Sequence, residues 1–321
     1  MTLTINFALF IISAAFLVLS GAYLVKSLFK ISQLLKITEF TATFILISVA
    51  TSFPELFVGI SSALTGQTAL ALGNVLGANL INLTLIMGIL ILLGKEIKTK
   101  NTQLRESSYP LAVMVALPLV LFFFGNVLSR ADGFLLLFVF CAYSYYLIKN
   151  NKKYVKKYKI DKKKLKKINI ILTTFIFVLS LAVLIVSAYF VIKYASLISI
   201  DLQLPQIFIG LFLISLGTTL PELAFGIRAV LSGYKSMSIG NQLGTVIVNS
   251  TLVLGVTALI TPITADIFIF FIAGIFLLFS VFLFVYFVKY KEKLSSTEGI
   301  TLILIYILFI IVQFYLGRTM I

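Results

Sequence analysis

The sequence predicts an all-α membrane protein with ten transmembrane helices arranged as two inverted five-helix repeats. Three observations lead there. Of the 321 residues, 60% are hydrophobic and only 12% charged, and apolar runs long enough to cross ~30 Å of hydrocarbon recur from end to end. Residues 46–88 are written again at 213–255 in fixed register: LISVATSFPELFVGI and GNVLGANLINLTLIMG become LISLGTTLPELAFGI and GNQLGTVIVNSTLVLG. The offset of 167 aligns Thr51 with Thr218, Pro54 with Pro221, Glu55 with Glu222, Gly66 with Gly233, Gly73-Asn74 with Gly240-Asn241 and Asn82 with Asn249. Lastly, the basic residues sort onto alternate loops.

The first span, near 5–25, follows an opening (MTLTINFALF) without a basic n-region, and its apolar run exceeds a signal-peptide core, so it reads as an uncleaved helix. The second (38–64) carries Pro54 and the third (69–94) the Gly73/Gly77 pair; spans near 108–128 and 131–148 close the first half. The second half runs over spans near 169–193, 205–232, 237–260, 266–288 and 299–317. The divisions are 1–148 for the first five-helix repeat, 149–168 for a basic linker and 169–321 for the second repeat. Moving from span 2 to span 7 advances five crossings, an odd number, so the two copies must traverse the membrane in opposite directions. That is an inverted pair related by a pseudo-twofold axis in the membrane plane.

The formal charge of +15 would suggest nucleic acid were it not for its placement. The loops after odd-numbered spans, with their flanks, hold 23 of the 26 Lys and Arg; Arg130, Lys193 and Arg318 lie on the other side. By the positive-inside rule the odd loops are cytoplasmic and both termini outside. Most of the charge sits in KNNKKYVKKYKIDKKKLKKIN (149–169), read as a topology anchor or as a contact for anionic lipid headgroups. Arg228 reads as a snorkelling charge. Cys141 is alone and His is absent, which removes an intramolecular disulfide, cysteine metal sites, His-ligated zinc and His proton relays. With no Trp, interfacial anchoring falls to Tyr143, Tyr145, Tyr146, Tyr189, Tyr194 and Tyr290.

Of 11 acidic residues, nine (Glu39, Glu96, Glu106, Asp132, Asp161, Asp201, Asp266, Glu292 and Glu298) fall in loops or at span ends. Glu55 and Glu222 remain near mid-membrane, where an ionisable group costs about 2.5–3.5 kcal/mol to insert and is a functional candidate by default. Two at repeat-equivalent positions, without a nearby basic residue in sequence, are read as holding a cation. Pro54 and Pro221 cannot donate to the carbonyls of residues 50 and 217, so the helices are expected to open near Ser48–Thr51 and its repeat. Thr51, Ser52 and Ser48, with Thr218, Thr219 and Ser215, add hydroxyls there, and freed carbonyls need a partner in lipid. Hard oxygen donors in this number suit Ca²⁺. On spans 3 and 8 the glycine pairs open faces for close packing. Asn82 and Asn249 lie further along, either aimed at the same site or hydrogen-bonding between helices. Thr245 shares the face of Asn249, whereas its counterpart Ala78 offers no ligand.

These elements resemble the cation/calcium exchanger superfamily, in particular its small prokaryotic sodium/calcium exchangers. The resemblance is carried by Ala50-Thr51-Ser52-Phe53-Pro54-Glu55 with Gly73 to Asn82, and by Gly217-Thr218-Thr219-Leu220-Pro221-Glu222 with Gly240 to Asn249. It implies a core of spans 2, 3, 7 and 8, with the first and sixth spans sliding across it to alternate access. Three positions depart from the family pattern: Asn249 stands where Asp is frequent, Ala78 where a Ser lines the sites, and Ala50 where the signature has Gly. The linker is too short for a regulatory domain.

The function expected is secondary antiport of Ca²⁺ against Na⁺, with Ca²⁺/H⁺ exchange the alternative. Transported ions are its substrates, and no cofactor, nucleic acid or obligate protein partner is expected beyond membrane lipid. An integral protein of a prokaryotic plasma membrane fits the resemblance. A channel would more naturally be built from identical subunits around a pore. An intramembrane enzyme would need a nucleophile–base pair or a metal centre that the residues do not supply.

Overall fold

The computed structural model describes residues 3–34, 47–98, 103–150, 169–291 and 293–318. Long runs of Leu, Ile, Val and Phe form helix wherever they occur, because in lipid only a helix satisfies its own backbone within one segment. In order these are α1 (Leu3–Leu34), α2 (Ser48–Thr51), α3 (Phe53–Leu64), α4 (Thr68–Ile81), α5 (Met87–Gly94), α6 (Gln103–Gly125) and α7 (Arg130–Asn150). The second half follows as α8 (Ile170–Leu202), α9 (Gln206–Ile209), α10 (Ser215–Thr218), α11 (Leu220–Leu231), α12 (Lys235–Val248), α13 (Leu254–Ile260), α14 (Ile267–Tyr290) and α15 (Ser296–Arg318). Three π-helical segments, Asn82–Ile86, Gly210–Ile214 and Asn249–Val253, join neighbouring helices without breaking them.

Eight stretches among the described residues are long and apolar enough to cross a membrane. The twenty-one-residue α7, with Arg130, Asp132 and Lys149 in it, is not among them. Of the second predicted span only the part from Ile47 onward is described, ending in the short apolar α3. The all-helical expectation misses two small pieces of ladder. Ile97–Lys98 (β1) pairs antiparallel with Lys293–Leu294 (β2), and Leu128 bridges Ile263.

Those pieces sort the loops. At one end of the molecule β1 meets β2, and Lys235 Nζ donates to the carbonyls of Gly94 at 2.6 Å and Glu96 at 3.2 Å. Lys291 also lies at this end, 2.7 Å from Glu298, and that hydrogen bond holds its ammonium above the ordinary lysine pKa. At the other end Thr261 donates to the Ala63 carbonyl, Arg130 to Ile260, and the Gln67 amide oxygen accepts from Ser196 and Gln206. Asn6, near the start of α1, joins Asp201 at the end of α8 at 2.6 Å.

Two packed layers result. Most apolar side chains of α4–α7 and α11–α15 share one core. A second joins Phe10, Leu17 and Leu24 of α1 to Leu184, Val191 and Ile198 of α8, with Val58 and Ile214 beneath. Among the tyrosines expected at the interface, Tyr145, Tyr146, Tyr189 and Tyr290 are exposed. Tyr143 is not: at 8% exposure it packs in the main core, because its position on α7 faces the bundle.

Candidate cation-binding site

Each proline does its work one residue later than the sequence suggested. Ser48–Thr51 stays helical as α2, and the break falls at Ser52, whose backbone turns to φ −77°, ψ 4° before Pro54 enters the first turn of α3. Thr219 repeats this at φ −82°, ψ −3° between α10 and α11. Proline is tolerated in a first turn, where its missing N–H would have no partner anyway, so the chain re-nucleates a helix instead of unwinding a turn. Thr51 Oγ1 donates back to the Ser48 carbonyl at 3.2 Å, and Thr218 Oγ1 to the Ser215 carbonyl at 3.3 Å. Both motifs end the same way, with Gly66 and Gly233 at φ +72° and +85°, the left-handed turn that a side chain resists.

These hinges place Glu55 and Glu222 in the first turns of α3 and α11, each fully buried. Among the described residues none of their four carboxylate oxygens has a well-formed hydrogen-bond partner. Thr218 lies alongside Glu55 and Thr51 alongside Glu222, so each acid faces a hydroxyl of the opposite repeat. Buried carboxylates left unpaired are costly; among the described residues no Lys or Arg comes to them.

The helices behind them are held very close. A Cβ on Gly73 would stand 2.1 Å from the Ile207 carbonyl oxygen, and one on Gly77 2.2 Å from that of Leu211, so α4 lies against the segment leading into α10 with backbone touching backbone. Gly21 of α1 covers both hinges, its position 3.0 Å from Pro54 Cγ and 3.8 Å from Pro221 Cγ for an added Cβ.

All the residues singled out by sequence are buried around this point: Ser48, Thr51, Thr218, Ser215, Asn82, Asn249 and Thr245 fully, Ser52 at 1% and Thr219 at 2% exposure. Thr51 Oγ1 pairs with Thr245 Oγ1 at 3.2 Å, while Ser48 Oγ reaches Asn241 at 3.4–3.5 Å. Ser215 and Thr219 bond back into their own helix, to the carbonyls of Leu211 and Ser215. Among the described residues Ser52 Oγ and every amide atom of Asn82 and Asn249 lack partners. The interhelical hydrogen bond weighed for the two asparagines is therefore absent among the described residues. It is made by Asn79, whose Nδ2 donates to Ser250 Oγ at 2.9 Å.

Sequence reasoning passed over Asn74 and Asn241, both fully buried. Asn74 Oδ1 accepts from Thr218 at 3.0 Å. Their signal was available, since the Gly-Asn pair repeats in register. It also passed over the π segments, which begin at Asn82 and Asn249 and span equivalent residues. An i→i+5 turn strands a carbonyl, and the threonine third in each segment covers it: Thr84 donates to Leu80, Thr251 to Ile247.

Two buried acids flanked by hydroxyls, on paired broken helices in an apolar bundle, are groups that could hold a dehydrated cation. The pattern of the sodium/calcium exchanger protein family matches residues 5–149 and 172–315. This chain belongs to that family. It is 27% identical to the sodium/calcium exchanger MaX1 of Methanosarcina acetivorans, over 98% of this chain and 100% of the relative. It is 29% identical to the inner membrane protein YrbG of Escherichia coli, over 67% and 68%. Its fold matches the sodium-calcium exchanger NCX_Mj, in a structure soaked with Na⁺ and Sr²⁺, at a TM-score of 0.68 and 20% identity, covering 96% of this chain and 99% of that one. The chain is thus an integral membrane cation exchanger with prokaryotic relatives.

Proposed function

We propose that the protein is a secondary antiporter that exchanges Ca²⁺ for Na⁺ by alternating access, with ions held at mid-membrane between two inverted five-helix repeats. The observation that carries this is the pair of fully buried glutamates whose four oxygens have no well-formed hydrogen-bond partner among the described residues. Carboxylates in that state call for a bound cation, and Ca²⁺ takes 6–8 hard oxygens of the kind Thr51, Ser52, Thr218, Thr219, Ser48, Ser215, Thr245, Asn82 and Asn249 supply. Two carboxylates balance one divalent ion or two monovalent ones, which is the arithmetic of exchange.

The inverted reading draws support from the sorting of the loops. The end of α3 meets the Thr261 end of the molecule, and the start of α12 meets the β1–β2 end, so equivalent helices of the two halves point oppositely. In this reading the two repeats are 1–148 and 169–321, joined by the linker. We take the β1–β2 end as cytoplasmic because the basic loops gather there, with both termini outside. The Lys-rich linker, 149–168, and Glu39 lie beyond the described residues, Lys149 and Asn150 apart.

Vesicles loaded with Na⁺ and diluted into sodium-free medium should take up ⁴⁵Ca²⁺, with a proton ionophore making little difference. Uptake that follows a pH gradient and ignores sodium would replace this by Ca²⁺/H⁺ exchange. The residues at Ala78 and Asn249 favour testing that second reading, because each removes an oxygen or a charge from the set a sodium ion would use.

A further inference from the structure

We propose that Asn6 and Asp201 are positioning residues: their bond fixes the register of α1 against α8, and with it the part of α1 that lies over the two proline hinges. The inference needs the exchange reading above for only one of its two readouts.

The two helices meet along a seam that repeats every seven residues. On α1 it runs through Asn6, Ser13, Ser20 and Ser27, alternating with Phe10, Leu17 and Leu24. On α8 it runs through Thr173, Ser180 and Ser187, alternating with Leu184, Val191 and Ile198. All of these side chains are buried. A seven-residue period keeps one face of each helix against its partner. It also repeats itself, so packing along it separates one register from the next only weakly. The hydroxyls do not help. Ser13, Ser20 and Ser27 donate to the carbonyls of Leu9, Leu17 and Tyr23 inside α1, and Thr173 donates to that of Asn169.

Among the described residues one side-chain hydrogen bond joins the two helices, from Asn6 Nδ2 to Asp201 Oδ2 at 2.6 Å, with Asn6 only 2% exposed. A hydrogen bond to a carboxylate is among the strong ones, and setting register is the best-attested use of a polar group in an apolar seam. The pair stands at one end alone. Its repeat equivalents are Thr173 and Leu34, and a leucine side chain cannot accept. Register matters because α1 also covers the hinges. An added Cβ on Gly21 would stand 3.0 Å from Pro54 Cγ and 3.8 Å from both Pro221 Cγ and Leu184 Cδ1, and one on Gly217 would stand 3.9 Å from Ala14 Cβ. Ala14 and Gly21 are themselves seven apart. A slip of one turn would bring Leu17 or Leu24 to the place of Gly21, where even a Cβ is tight.

The test uses the purified full chain with Cys141→Ser and a reporter pair, Ser20→Cys with Ser187→Cys. Pairing residue 6 with 201 in antiparallel helices sets 20 against 187, in keeping with the approach of Gly21 to Leu184. At a temperature where every variant is folded, oxidation should join the reporter cysteines readily. Asn6→Leu should slow that step by about tenfold, the low end for losing a bond to a charged group. Asp201→Asn, which keeps a neutral bond, should slow it less and serves if Asn6→Leu folds poorly. The exchanged pair, Asn6→Asp with Asp201→Asn, restores donor and acceptor and should restore the rate. Without the reporter cysteines, maximal ⁴⁵Ca²⁺ flux per folded protein should fall and return in the same order, with half-saturating Ca²⁺ nearly unchanged. A purely structural bond would lower the melting temperature and leave oxidation of the folded protein alone. That result overturns the proposal, as does an exchanged pair that restores nothing, or slowed oxidation with parental flux. If the parent moves no Ca²⁺ under either a Na⁺ or a pH gradient, the exchange reading falls, and the oxidation rates still decide the register.

Discussion

At the first hinge Thr51 meets Thr245 across the repeats at 3.2 Å, and Ser48 reaches Asn241. At the second, Thr218 meets Asn74 at 3.0 Å, and nothing stands where Thr245 would be but Ala78. The backbones of the two hinges nonetheless agree: the break at Ser52 and Thr219, the left-handed glycines, and the π segments all recur at the same offset. Packing recurs as well. Gly59 lets α3 approach Thr257 of α13, and Gly226 lets α11 approach Leu90 of α5, residues related by the same offset. Duplication has kept the frame, which positions both acids, while the uncharged ligands have diverged. A frame must be shared for two gates to serve one site; the ligands need only sum to what the ions require.

The acids are where the halves should be most alike. Glu55→Gln and Glu222→Gln each remove one charge at nearly constant shape. Taking one member from a buried, ion-matched set costs about 3–5 kcal/mol. Calcium transport should therefore fall by about two to four powers of ten in either variant. The loss should be comparable in both, measured as ⁴⁵Ca²⁺ flux at matched expression. Normal flux in one of them would show that the site is not shared. Glu39→Gln, at a predicted span end, serves as the control.

The glycines at the start of spans 3 and 8 should differ. An alanine Cβ at position 73 would press to 2.1 Å from the Ile207 carbonyl oxygen, a backbone atom that cannot swing aside. Gly240 has no described atom within 4 Å of its Cβ direction. Gly73→Ala should lower stability by about 1–3 kcal/mol or more. Gly240→Ala should leave the melting temperature in detergent close to that of the parent. Equal destabilisation would mean that the approach of backbone to backbone is symmetric after all.

Much of this was legible in the sequence. A repeat of 167 residues with Pro-Glu at its centre specifies two broken helices and two acids, and apolar runs specify the bundle. What was not legible has a common physical source, the competition between local hydrogen bonds. The sequence shows that Pro54 frees the carbonyl of residue 50, but whether the turn before it unwinds depends on the backbone bonds left to that turn, and Ser52 N–H still donates to the Ser48 carbonyl at 3.0 Å. It shows Asn79, Asn82, Asn249 and Ser250 within one region, but which amide bonds across helices depends on the rotation imposed by the π segments. Asn79 makes that bond, and Asn82 and Asn249 are left without partners among the described residues. The short β1–β2 ladder escaped notice because two residues carry no periodicity.

The divergent ligands give the third test. Thr245→Val removes the hydroxyl paired with Thr51 and leaves that oxygen without its cross-repeat partner, a loss of about 1 kcal/mol. The monovalent ion's half-saturating concentration should rise about fivefold, with maximal flux nearly unchanged. Ala78→Ser places in the first half the hydroxyl that Thr245 supplies in the second, and it should shift the same parameter the other way. If Thr245→Val alters nothing, the asymmetry between the halves is one of packing and not of ion binding.

The smallest effect is expected at Thr84 and Thr251, and it too should be symmetric. Each is fully buried, third in a π segment, and bonded to the carbonyl four residues back, Leu80 in one half and Ile247 in the other. Neither need touch an ion to matter. An extra residue in the turn rotates everything before it, so the π segment sets the direction in which Asn82 and Asn249 leave the helix. Thr84→Val or Thr251→Val keeps volume and β-branching but leaves a stranded carbonyl in an apolar interior, at a cost of about 0.5–1.5 kcal/mol. Part of that cost should appear as a two- to fourfold weaker apparent affinity for Ca²⁺, about equal in the two variants. Thr→Ser at either position retains the donor and should restore parental affinity. A purely structural role would instead lower the melting temperature without moving the affinity, and Ser would then rescue nothing that the flux assay reads. A change in affinity in one half alone would show that only one of the two asparagines faces the ions.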